Sequence, residues 1–600
     1  MNQQILVKDV QQDFNRRREE RKHLEAKWLL NLNFLEGKQY STLNSRLELV
    51  DYGKRYLWEE RGVYNHIAPL IESRLAKFTR VNTAVNVRPA SGENEDIQSA
   101  KLATKLLEAT FLDNDFYKLS ADANLWAEIT GTVFYKVFWN EEKGGQVKIA
   151  VCPSYEIYPD NLSEPSLQAL RSVIHAKAYP VSQIEDIWGK RVEPEEVNLM
   201  LSDGVRALSG KSGVTGFVTD AVKKEGYAMV IERYEAPSKD YPDGRLIIVS
   251  GDELLYEGSL PYLNGEGGTR IFPFVKQVSL HSPCSFFGTS VIDRLIPVQR
   301  AFNAVKNRKH EYMSRLSMGV LAVEEGSIDL DGLEEEGLAP GRVITYRQGS
   351  TPPLLMSPGT VPQEFRDEED RLLAEFKLIS GVNDNVQMSS NAESTVSGYA
   401  LSLLIEQDYM RLSVTTESIR SAVKEVARQI LRLYREFSSG ERIISIAGKM
   451  GKVELEAFKA STLRADDVVM ESDSTMVETP ATRKSMVLEL LSSGLLGDEN
   501  GKISNRNRQK IVEMLGFGNW EHSRADEEVH VKKATLENHD MSLGEAQKVD
   551  ELDDHEIHVA EHVNAFVSGR DSLSEEAKKL LKEHVRRHRV LLKLSKQTEI

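Results

Sequence analysis

Val291 to Leu316 reads VIDRLIPVQRAFNAVKNRKHEYMSRL, and Gln363 to Ser380 reads QEFRDEEDRLLAEFKLIS. Both stretches carry apolar residues at helical spacing. The first, if continuous, is roughly 39 Å long at 1.5 Å per residue, with Pro297 able to kink its early turns. Between them lie GVLAVEE, an acidic run from Asp329 to Glu336 and GRVITYR, which predict a strand, a short helix or loop and a second strand. Two helices flanking a compact insert form a stalk with a tip.

The chain on the N-terminal side of the stalk predicts a helical opening. One helix runs through Leu35 to a stop at Gly37, with Leu24, Trp28, Leu29 and Leu32 at helical spacing. Others follow over His66 to Phe78, Asp96 to Phe111 and Leu119 to Ile129. The period then changes. TVFYKVFWN and QVKIAVCP read as a hairpin and IHAKAYP as its third strand, while YAMVIERYEA, RLIIVS and ELLYEG read as a meander. Strands in hairpins rather than alternating with helices indicate an α+β, helix-rich fold and not a doubly wound sheet.

On the C-terminal side, VNDNVQMSSNAESTVSG is polar and reads as a loop. A very long helix follows, in which Ile419, Val423, Val426, Ile430, Leu433 and Phe437 form a narrow apolar seam that requires a neighbouring helix. RIISIAG and DDVVMESDST return to the α+β body. Helices are expected near Ala481 to Leu495, near Asn505 to Leu515, from roughly Leu543 to Val567, and after a Ser572/Glu575 capping box.

Six hundred residues with 76 basic and 92 acidic side chains carry a net charge of −16, which disfavours non-specific adhesion to phosphate backbones. No apolar run is long enough for a membrane span, and synthesis in the cytoplasm is expected. Cys152 and Cys284 lack metal-ligand spacing and are expected to be reduced, buried and inert. Gly204, Gly210, Lys211 and Ser212 miss the P-loop spacing by one residue, and no strand is expected ahead of them. His555, His558 and His562 share one helix face with Asp554 and Glu561 nearby, geometry capable of holding a metal. Three ligands from one straight helix are strained and no second source of ligands is evident, so a solvated or interface stripe is expected, with no metal and no cofactor. No catalytic constellation emerges, and the chain is read as not an enzyme.

Short patterns along this element order resemble those of the portal, or head-to-tail connector, proteins of tailed bacteriophages. Trp28, Phe34, Gly37, Gln39 and Tyr40 resemble the family's W…Y..GxQW stretch, with Tyr40 where that pattern ends in Trp. Asn65, His66, Ile67, Pro69 and Glu72, then Val87, Arg88 and Pro89, are similar to N-x-I-x-P-x-x-E…V-x-P. Gly131, Lys136, Val137, Trp139, Pro153, Tyr158, Pro159 and Asp160 resemble G…KVxW…P…YPD. Pro283, Gly288, Ser290, Pro297, Gln299 and Asn303 resemble the family's approach to its stem.

The resemblance implies a ring, commonly a dodecamer, at one capsid vertex of the virion, whose channel serves DNA packaging and DNA ejection. In those terms residues 1–285 are a wing, 286–317 and 362–381 the two stem helices, and 318–361 a clip that docks the terminase large subunit and then a tail adaptor protein. Residues 382–397 are a tunnel loop, 398–480 the long wing helix and return strands, 481–540 a wing-to-crown region and 541–600 a helical crown. Major capsid and scaffolding proteins are further expected partners.

Within that assignment, Asn383, Asp384, Asn385, Gln387, Ser389, Ser390, Asn391 and Glu393 are expected to face passing double-stranded DNA with few cations. Clip acids Glu324, Glu325, Asp329, Asp331, Glu334, Glu335 and Glu336 are candidates for partner contact, against a solvated acidic tip. Arg300, Lys306, Arg308 and Lys309 on the first stem helix are expected to pair with Glu364, Asp367, Glu368, Glu369 and Asp370 on the second, although single exposed pairs contribute only ~0.2–1 kcal/mol. Lys578, Lys579, Lys582, Arg586, Arg587 and Arg589 read as a solvated basic face more than a DNA contact. The alternatives are a non-catalytic cytoplasmic coiled-coil scaffold and a nucleotide-driven packaging enzyme.

Overall fold

The structure is a computed structural model. It describes residues 3–598 except 52, 55–58, 80–84, 90–93, 142–144, 199–222, 262, 265–268, 319, 329–342, 357–360, 383–397, 439–440, 448–452, 460–467, 471–523, 543, 545, 551 and 569–574. The chain divides into two units, Met1–Thr475 and Met476–Ile600.

The first unit opens with helix α1 (Gln3–Leu35). Its inward stripe is unusual: Val10, Phe14, Arg17 and Arg21 recur at spacings of 4, 3 and 4, and all four are buried. Arg21 is fully enclosed, donates to the carbonyls of Ser154, Tyr155 and Ile157, and stacks 3.4 Å over the Tyr158 ring. Arg17 donates to the Tyr158 and Ser172 carbonyls. Buried guanidiniums here add donors to carbonyls at strand ends, of which Ser154 and Ser172 also accept a backbone amide, and Glu25 and Asp13 balance their charge.

Helices α2 (Ile67–Phe78), α3 (Asn94–Asp113) and α4 (Phe116–Thr130) lead to the first sheet. There β1 (Thr132–Asn140) pairs with β2 (Gln146–Pro153) as the alternation predicts. The third strand of this sheet is β3 (Phe274–Val278), on the other edge of β1. Ser172–Pro180, expected to be that third strand, instead pairs with Lys223–Glu235 in a second sheet with Arg245–Ser250 and Glu253–Gly258. Lys136 in β1 and Glu232 in the second sheet are joined at 2.5 Å, a partnership that local alternation cannot encode. A short strand, Glu195–Asn198, pairs with Lys223–Glu235 ahead of the broken P-loop, where none was expected. The glycines of that motif lie outside the described residues.

The long helix α5 (Gly398–Phe437) buries Ile419, Val423, Val426, Ile430 and Leu433. Its seam packs on Ala100, Ala103, Leu106 and Leu107 of α3 and on Val133, Tyr135 and Val137 of β1, so it is satisfied by one helix and a sheet within the subunit. Cys152 is buried, but Cys284 is exposed at φ +52°, contrary to the expectation for it. No helix of the described residues is long and apolar enough to cross a membrane.

In the second unit, Arg524–Ser542, His555–Ser568 and Glu575–Thr598 are helices. The single helix expected over 543–567 begins only at His555, because Asp554 accepts the amides of Glu556 and Ile557 and starts a new helix there. The expected helices at 481–495 and 505–515, and the Ser572 part of the capping box, lie outside the described residues.

One close approach fixes the junction between β1 and the stalk. Gly131 ends α4 at φ +82°, and a Cβ there would sit 2.5 Å from the carbonyl oxygen of Gly288. Gly131→Ala is expected to cost ~2–4 kcal/mol, combining left-handed backbone strain with overpacking, read as a lowered midpoint of chemical unfolding.

Candidate functional site

The stalk predicted from sequence is present as α6 (Val291–Met318) packed against α7 (Glu364–Ser380). At about 42 Å, α6 runs through Pro297 without a break. Ser290 starts it: its hydroxyl accepts the Ile292 amide at 2.9 Å and donates to the Glu128 carbonyl, while Asp293 accepts the Ser290 amide at 3.4 Å. Its apolar face joins Ile292, Leu295, Ile296 and Phe302 to Leu372 and Phe376 of α7, and to Phe34, Ile67 and Ile71 of the body.

A second face of α6 is polar and buried. Gln299, Asn303 and Asn307 recur every four residues, each nearly inaccessible. Gln299 accepts the His66 amide at 3.0 Å and donates to the Tyr64 carbonyl at 2.7 Å. Asn303 accepts the Tyr64 amide at 3.1 Å and donates to Gln39 at 2.7 Å. Asn307 accepts the Gly62 amide at 3.0 Å and donates to the Tyr40 hydroxyl at 2.7 Å. Side-chain amides thus pair with the backbone of an irregular strap, residues 60–66, much as a neighbouring strand would. Glu311 accepts the Glu60 amide one turn further on. Gln39, Tyr40, Asn65, His66, Gln299 and Asn303, scattered over the sequence patterns, converge here.

The foot of α7 is clamped by a buried ion pair. Arg74 of α2 donates to Glu128 of α4 at 2.7 and 3.2 Å and to the carbonyl of Ser380, the last residue of α7, at 2.6 Å. Ser279 donates to the same carboxylate at 2.6 Å. Gly381 turns the chain at φ +71°, and Val382 is buried. Residue 382, where the expected tunnel loop begins, is therefore fixed to the body. The loop residues Asn383, Asp384, Asn385, Gln387, Ser389, Ser390, Asn391 and Glu393 lie outside the described residues.

Charge pairing between the two helices is narrower than expected. Lys306 and Lys309 both reach Glu369, at 3.4 and 3.0 Å, and no other described pair crosses from α6 to α7. Arg300 instead donates to the Ser41 carbonyl at 2.9 Å and covers the Phe34 ring, because its position on α6 faces the body. Glu368 pairs with Arg371 on its own helix. Arg308, Glu364, Asp367 and Asp370 stand exposed on the outside of the helix pair.

In the insert, Val320–Ala322 is a strand as predicted, but its partner is Leu354–Met356 and not residues 341–347. The described residues of that second stretch, 343–347, form no strand. Glu324 accepts both the amide and the hydroxyl of Thr351, at 2.8 and 3.0 Å, so it closes the insert. These two bonds hold its carboxyl below the usual range. Glu325 is exposed, and Asp329, Asp331, Glu334, Glu335 and Glu336 lie outside the described residues.

Sequence reading missed Arg74 and Glu128. The available signal is a charge within an apolar stripe: Ile67, Ile71, Arg74 and Phe78 lie on one buried face of α2. It also missed the company of Cys152, which lies 3.7 Å from His175, itself bonded to Glu232 at 3.0 Å. All three are buried between the sheets, out of reach of a substrate.

The histidine stripe was expected to be solvated or at an interface, and for two of its members the structure shows the second, an interface between helices. His558 and His562 are fully buried, because Glu537, His584 and His588 approach them from the two neighbouring helices. The exposed part of the last helix carries Lys579, Lys582, Arg586, Arg587 and Arg589, with Lys578 half-buried.

The family model described as Phage P22-like portal protein matches residues 10–487, well over half of the chain, and the chain belongs to that family. No curated protein matches it.

Asn303→Leu removes the partners of the Tyr64 amide and of Gln39 inside a dry interface. It is expected to cost about 2–4 kcal/mol, whereas Arg308→Ala, on the exposed side of the same helix, should change stability by less than about 0.5 kcal/mol in the same unfolding titration.

Proposed function

We propose that this portal subunit assembles into a closed ring, twelve-fold by resemblance to its family, in which the α6/α7 pairs surround a channel for double-stranded DNA.

 The observation that carries this reading is the keyed stalk. Its inner seams are consumed within the subunit by the amide ladder and the Arg74–Glu128 clamp, while Arg308 and the acids Glu364, Asp367 and Asp370 point outward, exposed among the described residues. A rigid rod with basic and acidic residues on its outer faces suits lateral contact with copies of itself. The coiled-coil scaffold reading loses its main support, since the apolar seam of α5 is already buried against α3 and β1.

In the proposed ring, residues 383–397 leave the clamped foot of α7 toward the axis and meet the duplex with amides, hydroxyls and carboxylates. Contacts of that kind release few counterions, so DNA slides without being held. The insert at the far end of the stalk, closed by the Glu324–Thr351 bonds, presents Glu325 and the acids of residues 329–336 to the terminase large subunit and later to a tail adaptor. Packaging during assembly and ejection at infection then use one channel at one capsid vertex. The chain is proposed to act without catalysing a reaction.

Two variants test the channel and the clip separately. Asn383→Arg with Asn391→Arg adds two cations per subunit around the duplex and is expected to slow or stall packaging in a defined in vitro assay; unchanged packaging kinetics would overturn the role given to the loop. Charge reversal of Glu334, Glu335 and Glu336 to Lys is expected to weaken terminase association at least tenfold, and unaltered binding would remove the clip assignment.

A further inference from the structure

Among the described residues of the second unit, three helices, α8 (Arg524–Ser542), α9 (His555–Ser568) and α10 (Glu575–Thr598), pack together, and they lie beyond residues 10–487, the region that the family model matches. Its inward stripes begin in the ordinary way. Ala534 and Met541 on α8 and Ala577 and Leu581 on α10 are buried apolar residues. Between them, where a helical bundle would place leucine, stand Glu537, His558, His562, His584 and His588, none more than 6% exposed.

One ligand atom each from Glu537, His558, His562 and His588 gather within 4.8 Å of one another. His584 Nε2 adds to them, 3.1 Å from His588 Nε2 and 3.5 Å from Glu537 Oε2. His562 Nε2 also lies 3.5 Å from Glu537 Oε2. Two ligands on a tetrahedral ion at 2.0–2.1 Å are separated by about 3.3 Å, which matches these edges.

The hydrogen bonds fix which ring nitrogens face inward. His584 Nδ1 meets the Gln547 carbonyl at 3.3 Å, and a carbonyl can only accept, so Nδ1 carries a proton and Nε2 is the nitrogen turned toward Glu537, available as a ligand in the neutral ring. His562 Nδ1 is held at 2.6 Å by Asn538 Oδ1 in the same manner, and its buried Nε2 has no hydrogen-bond partner. With both rings neutral, the carboxylate oxygen of Glu537 faces two imidazole lone pairs in a dry core, a repulsion that either added protons or a cation between them relieves. Lys533 does not fill that role, because its ammonium is bonded to Asp553 at 2.6 Å and approaches only Oε1 of Glu537, at 4.0 Å. His558 donates to Glu537 Oε2 at 3.1 Å and orients it, and His555 supports His588 at 3.0 Å from the outer side.

We propose that Glu537, His562, His584 and His588 bind one divalent transition-metal ion of the zinc type, with His558 positioning the carboxylate. Each helix contributes at least one ligand, and the ion ties the three together. The histidine pair on α10 at i and i+4 supplies the second ligand source that the α9 stripe alone lacks.

The test uses the full chain, stripped with a chelator, loaded with one equivalent of Zn2+ and desalted, with bound metal read by atomic emission. Retention of about one ion per chain is expected. Glu537→Gln and His588→Gln should each weaken retention at least tenfold, while His23→Gln, an exposed histidine on α1, should leave it unchanged. Loading the unmodified chain with Co2+ should give the intense visible absorption of a four-coordinate site, a readout that does not depend on any variant folding. Failure of the helical, unmodified chain to retain metal, a weak six-coordinate Co2+ spectrum, or undiminished retention in folded Glu537→Gln and His588→Gln would each overturn the proposal.

Discussion

The stalk is held by side-chain amides acting as backbone. Among the described residues the strap at 60–66 pairs with no strand, and its amides and carbonyls would be costly to bury unpaired. Gln299, Asn303 and Asn307, one turn apart on α6, supply those partners, and Gln39 and Tyr40 complete the set. Apolar contacts alone would let a long helix slide or rotate on its seat. A row of directional bonds admits one register, and every feature further along α6 inherits its position from it.

The same logic extends to the other end of the pair. Arg74 and Glu128 are both buried, so their attraction is set against a large desolvation cost, and their value lies in specificity more than in net stability. By binding the Ser380 carbonyl as well, Arg74 fixes where α7 stops and where residues 383–397 begin. A portal subunit needs this. In the ring proposed above, contacts with DNA would be weak so that it threads, while the elements that would bear load between motor, capsid and duplex would have to stay rigid. A negatively charged chain with rigid, internally satisfied supports meets both demands.

Much of this was legible in the sequence, and the failures have physical reasons. Helices such as α1, α3 and α5 and the hairpin of β1 and β2 announce themselves because their apolar period is local. The ladder residues Gln299 and Asn303 were visible only as a pattern, since nothing in a sequence states that an amide faces a distant strap. Residues 172–180 read correctly as a strand but joined another sheet, because the partner at 223–235 is distant in sequence. Arg21, Arg74, Glu537 and His588 were missed for one common reason: a charged or titratable residue inside an apolar stripe reads as an imperfection until its buried partners are known. Such a residue, at core spacing on a helix, is the signal that the sequence does hold.

In the proposed ring, the outward charges of a rigid stalk serve contacts between identical subunits around an open axis. Electron microscopy of the purified full-length chain addresses it directly. Closed rings of uniform subunit number with a central opening wide enough for a duplex are the predicted result. A population of monomers, or assemblies lacking an axial opening, would contradict it.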